Sequence, residues 1–115
     1  MNGYVGRLAP SPTGALHLGN ARTFMIAWLR ARSCGGRVVF RMEDLDHPRD
    51  KPGAAAAAVE DLRWLGFDWD EEYVQSERRS VYRVALARLD AYPCVCSRKD
   101  VACAQSAPQD RKSVG

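Results

Sequence analysis

Residues 7 to 20, RLAPSPTGALHLGN, gather an arginine, a histidine, two prolines and two glycines directly before a segment with helical patterning. A connection that only turned the chain would need neither the histidine nor the arginine. Gly14 and Gly19 leave room for a flat or anionic ligand to approach the backbone. The helix start that follows is expected to offer unpaired N–H groups and the positive end of a dipole, both suited to phosphate. His17 stands where it can donate to a phosphate oxygen that gains charge in a transition state. A solvent-facing histidine in a glycine-rich loop is the plainer reading, and spacing alone does not separate the two. Arg7 is more telling. An arginine at the end of an otherwise apolar strand is expected to meet an anion, the alternative being an exposed edge position.

A second cluster lies in RMEDLD, residues 41–46, with Glu43, Asp44 and Asp46 at the end of another apolar run. At the carboxyl end of a buried strand they would face the same crevice as Arg7. Glu43 is suited to accept from an ammonium group, whereas a solvated acidic turn accounts for Asp44 and Asp46. Cys94 and Cys96 form a Cys-x-Cys pair. Two thiols alone are weak evidence for zinc, which takes four ligands. Nothing in the sequence suggests secretion, so reduced thiols or a metal are expected rather than disulfides.

The elements that must position these residues follow from pattern. Tyr4 to Ala9 reads as a strand ending at Pro10, and residues 20–32 as a largely buried helix stopped by Cys34-Gly35-Gly36. Val38 to Met42 reads as a buried strand. Pro52 fits the first position of a second helix that runs to Leu65 and stops at Gly66. Ser76 is expected to cap a third helix reaching Ala91, Tyr92 to Cys96 to be extended, and Ser97-x-x-Asp100 to open a further helix as a capping box. Strand, helix, strand, with a helix of crossover length, predicts a parallel α/β fold.

At 115 residues the chain is expected to hold one domain at most. A formal charge of +3 permits an anionic partner without announcing one. No apolar run approaches the ~20 residues of a membrane span, and the N-terminus lacks signal-peptide order, so no membrane partner and a cytoplasmic location are expected.

RLAPSPTGALHLGNARTF followed by VVFRMEDLD, DLRWLGFDWDE with YVQSER, and YPCVCSRKD resembles the N-terminal half of the glutamate-specific class I aminoacyl-tRNA synthetases, over residues 4 to about 107. His17-Leu18-Gly19-Asn20 stands where that class carries His-Ile-Gly-His, with Asn20 for the second histidine. The resemblance implies the first half of a Rossmann-like catalytic domain over residues 1–91. It also implies the start of a zinc-type insertion over 92–108. Apolar periodicity decays after Val101, so an unstructured tail over 109–115, whose wording need not be native, is expected. The resemblance implies ATP-dependent activation of L-glutamate as glutamyl-adenylate, then transfer to tRNA. Carried over by position, Arg7, Leu8, Ala9, Pro10, Ser11 and Glu43 would bind glutamate, with Arg7 on its side-chain carboxylate and Glu43 on its ammonium. His17, Gly19 and Asn20 would bind ATP, with His17 and Asn20 catalytic and Mg2+ accompanying the nucleotide. Cys94 and Cys96 would be half of a Zn2+ site whose other two ligands are absent here; Cys103 does not match the family position. MEDLD and YPCVCSRKD point to the shorter branch of the family, which places glutamate on queuosine in the anticodon of tRNA(Asp), over the longer one that charges tRNA(Glu). A monomer is expected, and the chain alone is expected to be an inactive fragment. A small nucleotidyltransferase with a His-x-Gly-His loop and a non-catalytic RNA- or zinc-binding module are the rival readings. The first lacks the SPTG stretch and the Arg7/Glu43 pair; the second rests on shortness alone.

Overall fold

The computed structural model describes residues 3–106, which fall into two compact units that divide after Arg83. The tail over 109–115 lies outside the described residues. The first unit contains β1 (Val5–Leu8), α1 (Leu18–Ser33), β2 (Arg37–Met42), α2 (Ala54–Trp64) and β3 (Glu71–Val74). Turns of 3-10 helix at His47–Arg49 and Gln75–Arg78 precede α2 and α3 (Arg79–Leu86). The strands form a parallel sheet in the order β1-β2-β3, with Arg7 beside Val39 and Arg41 beside Tyr73.

Strand alternation divides the sheet into two unlike faces. Leu8, Val38, Phe40 and Met42 are buried and pack with Phe24 and Ala31 of α1, Ala58 and Leu62 of α2, and Phe67. The residues between them, Arg7, Val39, Arg41 and Tyr73, belong to the opposite face.

Seating α1 on β1 requires two residues without side chains. A Cβ on Gly6 would lie 2.9 Å from both the Ala27 carbonyl oxygen and Ala31 Cβ, and one on Gly36 would lie 2.4 Å from the Tyr4 carbonyl oxygen. The turn into β2 begins there: the Gly36 N–H donates to the Ala31 carbonyl at 2.8 Å, and Gly35 sits at φ +63°.

β3 was not anticipated from the sequence. Its start is fixed by Asp70, whose N–H donates to the Val38 carbonyl at 2.8 Å and whose Oδ2 accepts from the Val38 N–H at 2.7 Å. Arg32 on α1 bonds to both Asp68 and Asp70, and the Trp28 indole donates to Asp68 Oδ1 at 2.8 Å. The turn before β3 is thereby tied to β2 and α1 together. Trp69 stacks on Phe40 with ring centroids 4.6 Å apart, and Arg63 covers it at 3.6 Å.

Other boundaries differ from expectation for identifiable reasons. Pro52 is in the turn before α2, which begins at Ala54 after Gly53 at φ +78°. Ser76 caps nothing, because its amide and hydroxyl both donate to Asp44, at 2.9 and 2.6 Å. α3 ends at Leu86, after which Arg88 and Leu89 donate three residues back to Ala85 and Leu86 and tighten the chain into a turn.

In the second unit, residues 92–96 join no strand, and α4 (Arg98–Ser106) opens on the expected capping box. There the Ser97 amide and hydroxyl both donate to Asp100 Oδ2 at 2.7 Å, and the Asp100 N–H donates back to Ser97 Oγ at 3.3 Å.

Gly6→Ala is expected to destabilise the chain by about 1–3 kcal/mol, the usual cost of overpacking. Gly3→Ala, with nothing within 4 Å of its added Cβ, should cost little. Urea midpoints of the two variants against the parent measure the difference.

Candidate functional site

The open face of the sheet carries a hollow of about 250 Å³ lined by Arg7, Val39, Arg41, Tyr73, Arg78 and Tyr82. Arg7 is exposed there and, among the described residues, makes no hydrogen bond or ion pair. Arg41 donates through Nη2 to Glu43 Oε1 at 2.5 Å, both side chains being half-buried. Arg78 lies over the Tyr73 ring, 4.4 Å from its centroid. The Tyr73 hydroxyl donates to Glu71 Oε2 at 2.7 Å; that bond and the nearby negative charge push the phenol pKa up. Glu71 is in turn ion-paired with Arg37.

Arg7 and Arg41 line the same hollow, and Glu43 is joined to it through its bond to Arg41. Leu8 turns its side chain entirely into the core, so any contact it offers a ligand is through its backbone. Pro10 is buried, and its carbonyl accepts from the Glu43 N–H at 2.9 Å, which ties the two strand ends together. Ala9 is half-buried and Ser11 is exposed.

The acidic turn after β2 has a structural task. Asp44 accepts twice from Ser76 and so fastens the Gln75–Arg78 turn, which carries Arg78 and leads to Tyr82. Burial by itself would raise the Asp44 pKa, but the two Ser76 donors, with its own backbone N–H and the nearby His47, together outweigh it and hold the carboxyl below its ordinary value. The rest of that lining, Arg41, Tyr73, Arg78 and Tyr82, went unread in the sequence. Arg41 could have been found by the argument applied to Arg7, since it alternates with buried Phe40 and Met42 in an apolar strand.

At the start of α1 the donors are largely spoken for. His17 is the N-cap; its Nδ1 accepts from the Gly19 N–H at 3.1 Å, and Asn20 Oδ1 accepts from the His17 N–H at 3.0 Å. The Asn20 N–H bonds to the His17 carbonyl at 2.9 Å. The expected row of unpaired helix N–H groups is therefore corrected: the reciprocal cap consumes Gly19's and Asn20's. What it leaves is better defined. With Nδ1 accepting, a neutral His17 ring carries its proton on Nε2, ready to donate outward. Gly19 is needed because its Cβ would meet the imidazole at 2.9 Å. Beside His17 is a second hollow of about 250 Å³, lined with Leu16, Leu18, Ala21, Asp61, Trp64 and Leu65. Leu18 and Trp64 are 86% and 85% exposed there.

Cys94 and Cys96 are both exposed, and Cys96's amide and thiol hydrogen-bond to Cys94 and lower its pKa. Among the described residues no group of three His, Cys, Asp or Glu is placed to hold a metal ion. Two thiols do not meet the four-ligand requirement of structural zinc. Nor is any helix of the described residues long and apolar enough to cross a membrane.

Parallel α/β sheets of this kind bind ligands outside the carboxyl ends of their strands, which is where Arg7 and the histidine-capped start of α1 lie. The profile of class I tRNA synthetases (E and Q), catalytic domain, matches residues 4–113. The chain belongs to this family, and its fold is the Rossmann-like α/β fold of that catalytic domain. It is 53% identical to the glutamyl-Q tRNA(Asp) synthetase of Symbiobacterium thermophilum, over 96% of this chain and 38% of that protein. It is 59% identical to the one of Deinococcus radiodurans, over 84% of this chain and 32% of that protein. The crystal structure of glutamate-tRNA synthetase from Elizabethkingia anophelis is similar with a TM-score of 0.75 and 34% identity, covering 90% of this chain and 23% of that one. The chain spans about a third of the length of the curated relatives it matches.

Because the Asp44 carboxyl is held below its ordinary value, its stabilising effect is complete at neutral pH and is lost as pH falls through the lowered pKa. Asp44→Asn should therefore lower stability at pH 7, by about 1–2 kcal/mol, and lessen its fall below pH ~4. Urea denaturation at a series of pH values reads both effects.

Proposed function

We propose that this chain supplies the N-terminal part of an enzyme that activates L-glutamate with ATP as glutamyl-adenylate and transfers the glutamyl group to tRNA. The observation that carries this reading is Arg7: a guanidinium that has no partner among the described residues, at the carboxyl end of β1 and on the open face of a parallel sheet. A planar fork in that position suits a carboxylate, which it can hold by two parallel bonds. Glu43, with one oxygen on Arg41, is the nearby acceptor for the substrate ammonium; Ser11 and the backbone of Leu8, Ala9 and Pro10 line the same strand end. The nucleotide's phosphates lie at the start of α1. There His17 Nε2–H is the donor, Gly19 gives close access, and Asn20 keeps the cap in place while flanking the phosphates. Mg2+ arrives with ATP.

Activation is attack by the glutamate α-carboxylate on the α-phosphate of ATP, with pyrophosphate leaving. Little covalent work falls to the protein. It places two anions in line and stabilises the charge that develops.

The acceptor we favour is queuosine of tRNA(Asp), supported by the names of the relatives most like this chain. Charging of tRNA(Glu) is the second reading, supported by the glutamate-tRNA ligases among the solved structures. Residues 1–91 then serve as the first half of the catalytic domain and residues 92–108 as the start of an insertion toward the nucleic acid. Cys94 and Cys96 would supply half of a zinc site there if further ligands join them. The enzyme acts as a cytoplasmic monomer.

The test uses a chimaera in which residues 1–108 replace the corresponding part of the Symbiobacterium relative. Lysine at position 7 keeps the charge but loses the fork, and one hydrogen bond to a charged group is worth about 1.5–3 kcal/mol. Arg7→Lys should thus lower glutamate-dependent pyrophosphate exchange about 10- to 100-fold. Exchange at the parent rate would refute the carboxylate role.

A further inference from the structure

Cys94 and Cys96 take no part in the site on the open face. Both thiols are exposed, and the Cys96 amide and thiol both reach back to hydrogen-bond Cys94. The two sulfurs are therefore turned toward each other, while Val95 between them is 99% exposed. Among the described residues no third ligand joins them, and a dithiol alone does not satisfy structural zinc. The chemistry open to two facing thiols by themselves is oxidation to a disulfide.

Chain geometry permits that bond. Two residues of backbone span at most about 6.6–7.2 Å. A disulfide joins Cα atoms about 4.4–6.8 Å apart, so the pair lies at or within its outer reach. Residues 92–96 belong to no helix or strand, so no backbone ladder opposes the small adjustment that closure needs. A bond formed near that limit and open to solvent is readily reduced. In a reducing compartment it acts as a reversible modification rather than a structural staple.

We propose that Cys94 and Cys96 form a reversible intramolecular disulfide, with a low-molecular-weight disulfide as the oxidant. The Cys94 sulfur, which accepts from both Cys96 groups, attacks one sulfur of the oxidant RSSR as a thiolate. A mixed disulfide forms, RS− leaves, and RS− takes up the proton that Cys94 has lost. The Cys96 sulfur, losing its own proton, then attacks the Cys94 sulfur, which breaks the mixed disulfide and releases the second RSH. The pair gives up two electrons and two protons, and the oxidant is reduced to two thiols. Because thiolates are what a metal binds, the oxidised pair has none to offer.

The reduced 115-residue chain is incubated with glutathione disulfide, its remaining thiols are alkylated, and tryptic peptides are weighed. Trypsin places both cysteines in one peptide, residues 89–98. In the parent we expect that peptide unalkylated and lighter by two hydrogens, with dithiothreitol restoring both thiols. A Cys34→Ser/Cys103→Ser variant should behave in the same way. In Cys96→Ser the reaction should stop at a glutathionyl group on Cys94, about tenfold more abundant than in the parent, because closure is intramolecular. A parent peptide that keeps both thiols, or that carries glutathione instead of closing, overturns the proposal. So does a bond from either cysteine to Cys34, to Cys103 or to a second chain. Accumulation of the adduct in Cys94→Ser but not in Cys96→Ser would overturn the order of attack.

Discussion

The closeness of α1 to β1 is the constraint on which the rest of this structure depends. With a Cβ on Gly6 the helix could not reach the strand, and with one on Gly36 the chain could not pass Tyr4 to begin β2. Ala27 and Ala31 are small on the facing side, and Ala31 is fully buried. Because side chains alternate along a strand, a glycine facing the helix at position 6 places Arg7 on the other face. The same contact that closes the core therefore presents the arginine.

The consequence is a division of labour within single strands. β2 sends Val38, Phe40 and Met42 into the core and Val39 and Arg41 to the open face. The loops at the strand ends are cross-tied rather than free: Glu43 to Pro10, Lys51 to Pro12, and Ser76 to Asp44. These ties hold the strand ends in a fixed relation, which a site built for positioning needs more than it needs any one reactive group. His17 is treated similarly, since the cap that starts α1 also selects which imidazole nitrogen faces outward.

Much of this was legible in the sequence, where the signal was local. Gly35 and Gly66, both at positive φ, mark the ends of α1 and α2 as expected, and the Ser97-x-x-Asp100 box opens α4. Arg7, His17 and Glu43 stood out because their types jar with their surroundings. What escaped depended on distant partners. β3 reads EEYV, too acidic to announce a strand, and exists because Asp70 joins β2 and Arg37 meets Glu71. Ser76 looked like a helix cap until Asp44, 32 residues away, claimed it. Arg41 carried the same signal as Arg7, an arginine alternating with the buried Phe40 and Met42, but it is masked by the three acidic residues that follow it.

The central claim is that the open face of the sheet, opposite the seat of α1, is where the amino acid binds. Backbone amide shift mapping of the 15N-labelled chain on addition of L-glutamate tests it most directly. The account predicts perturbations clustered at residues 7–11, 39–43 and 73–82. Shifts confined to the helix-covered face, or to Leu18, Trp64 and their neighbours, would contradict it.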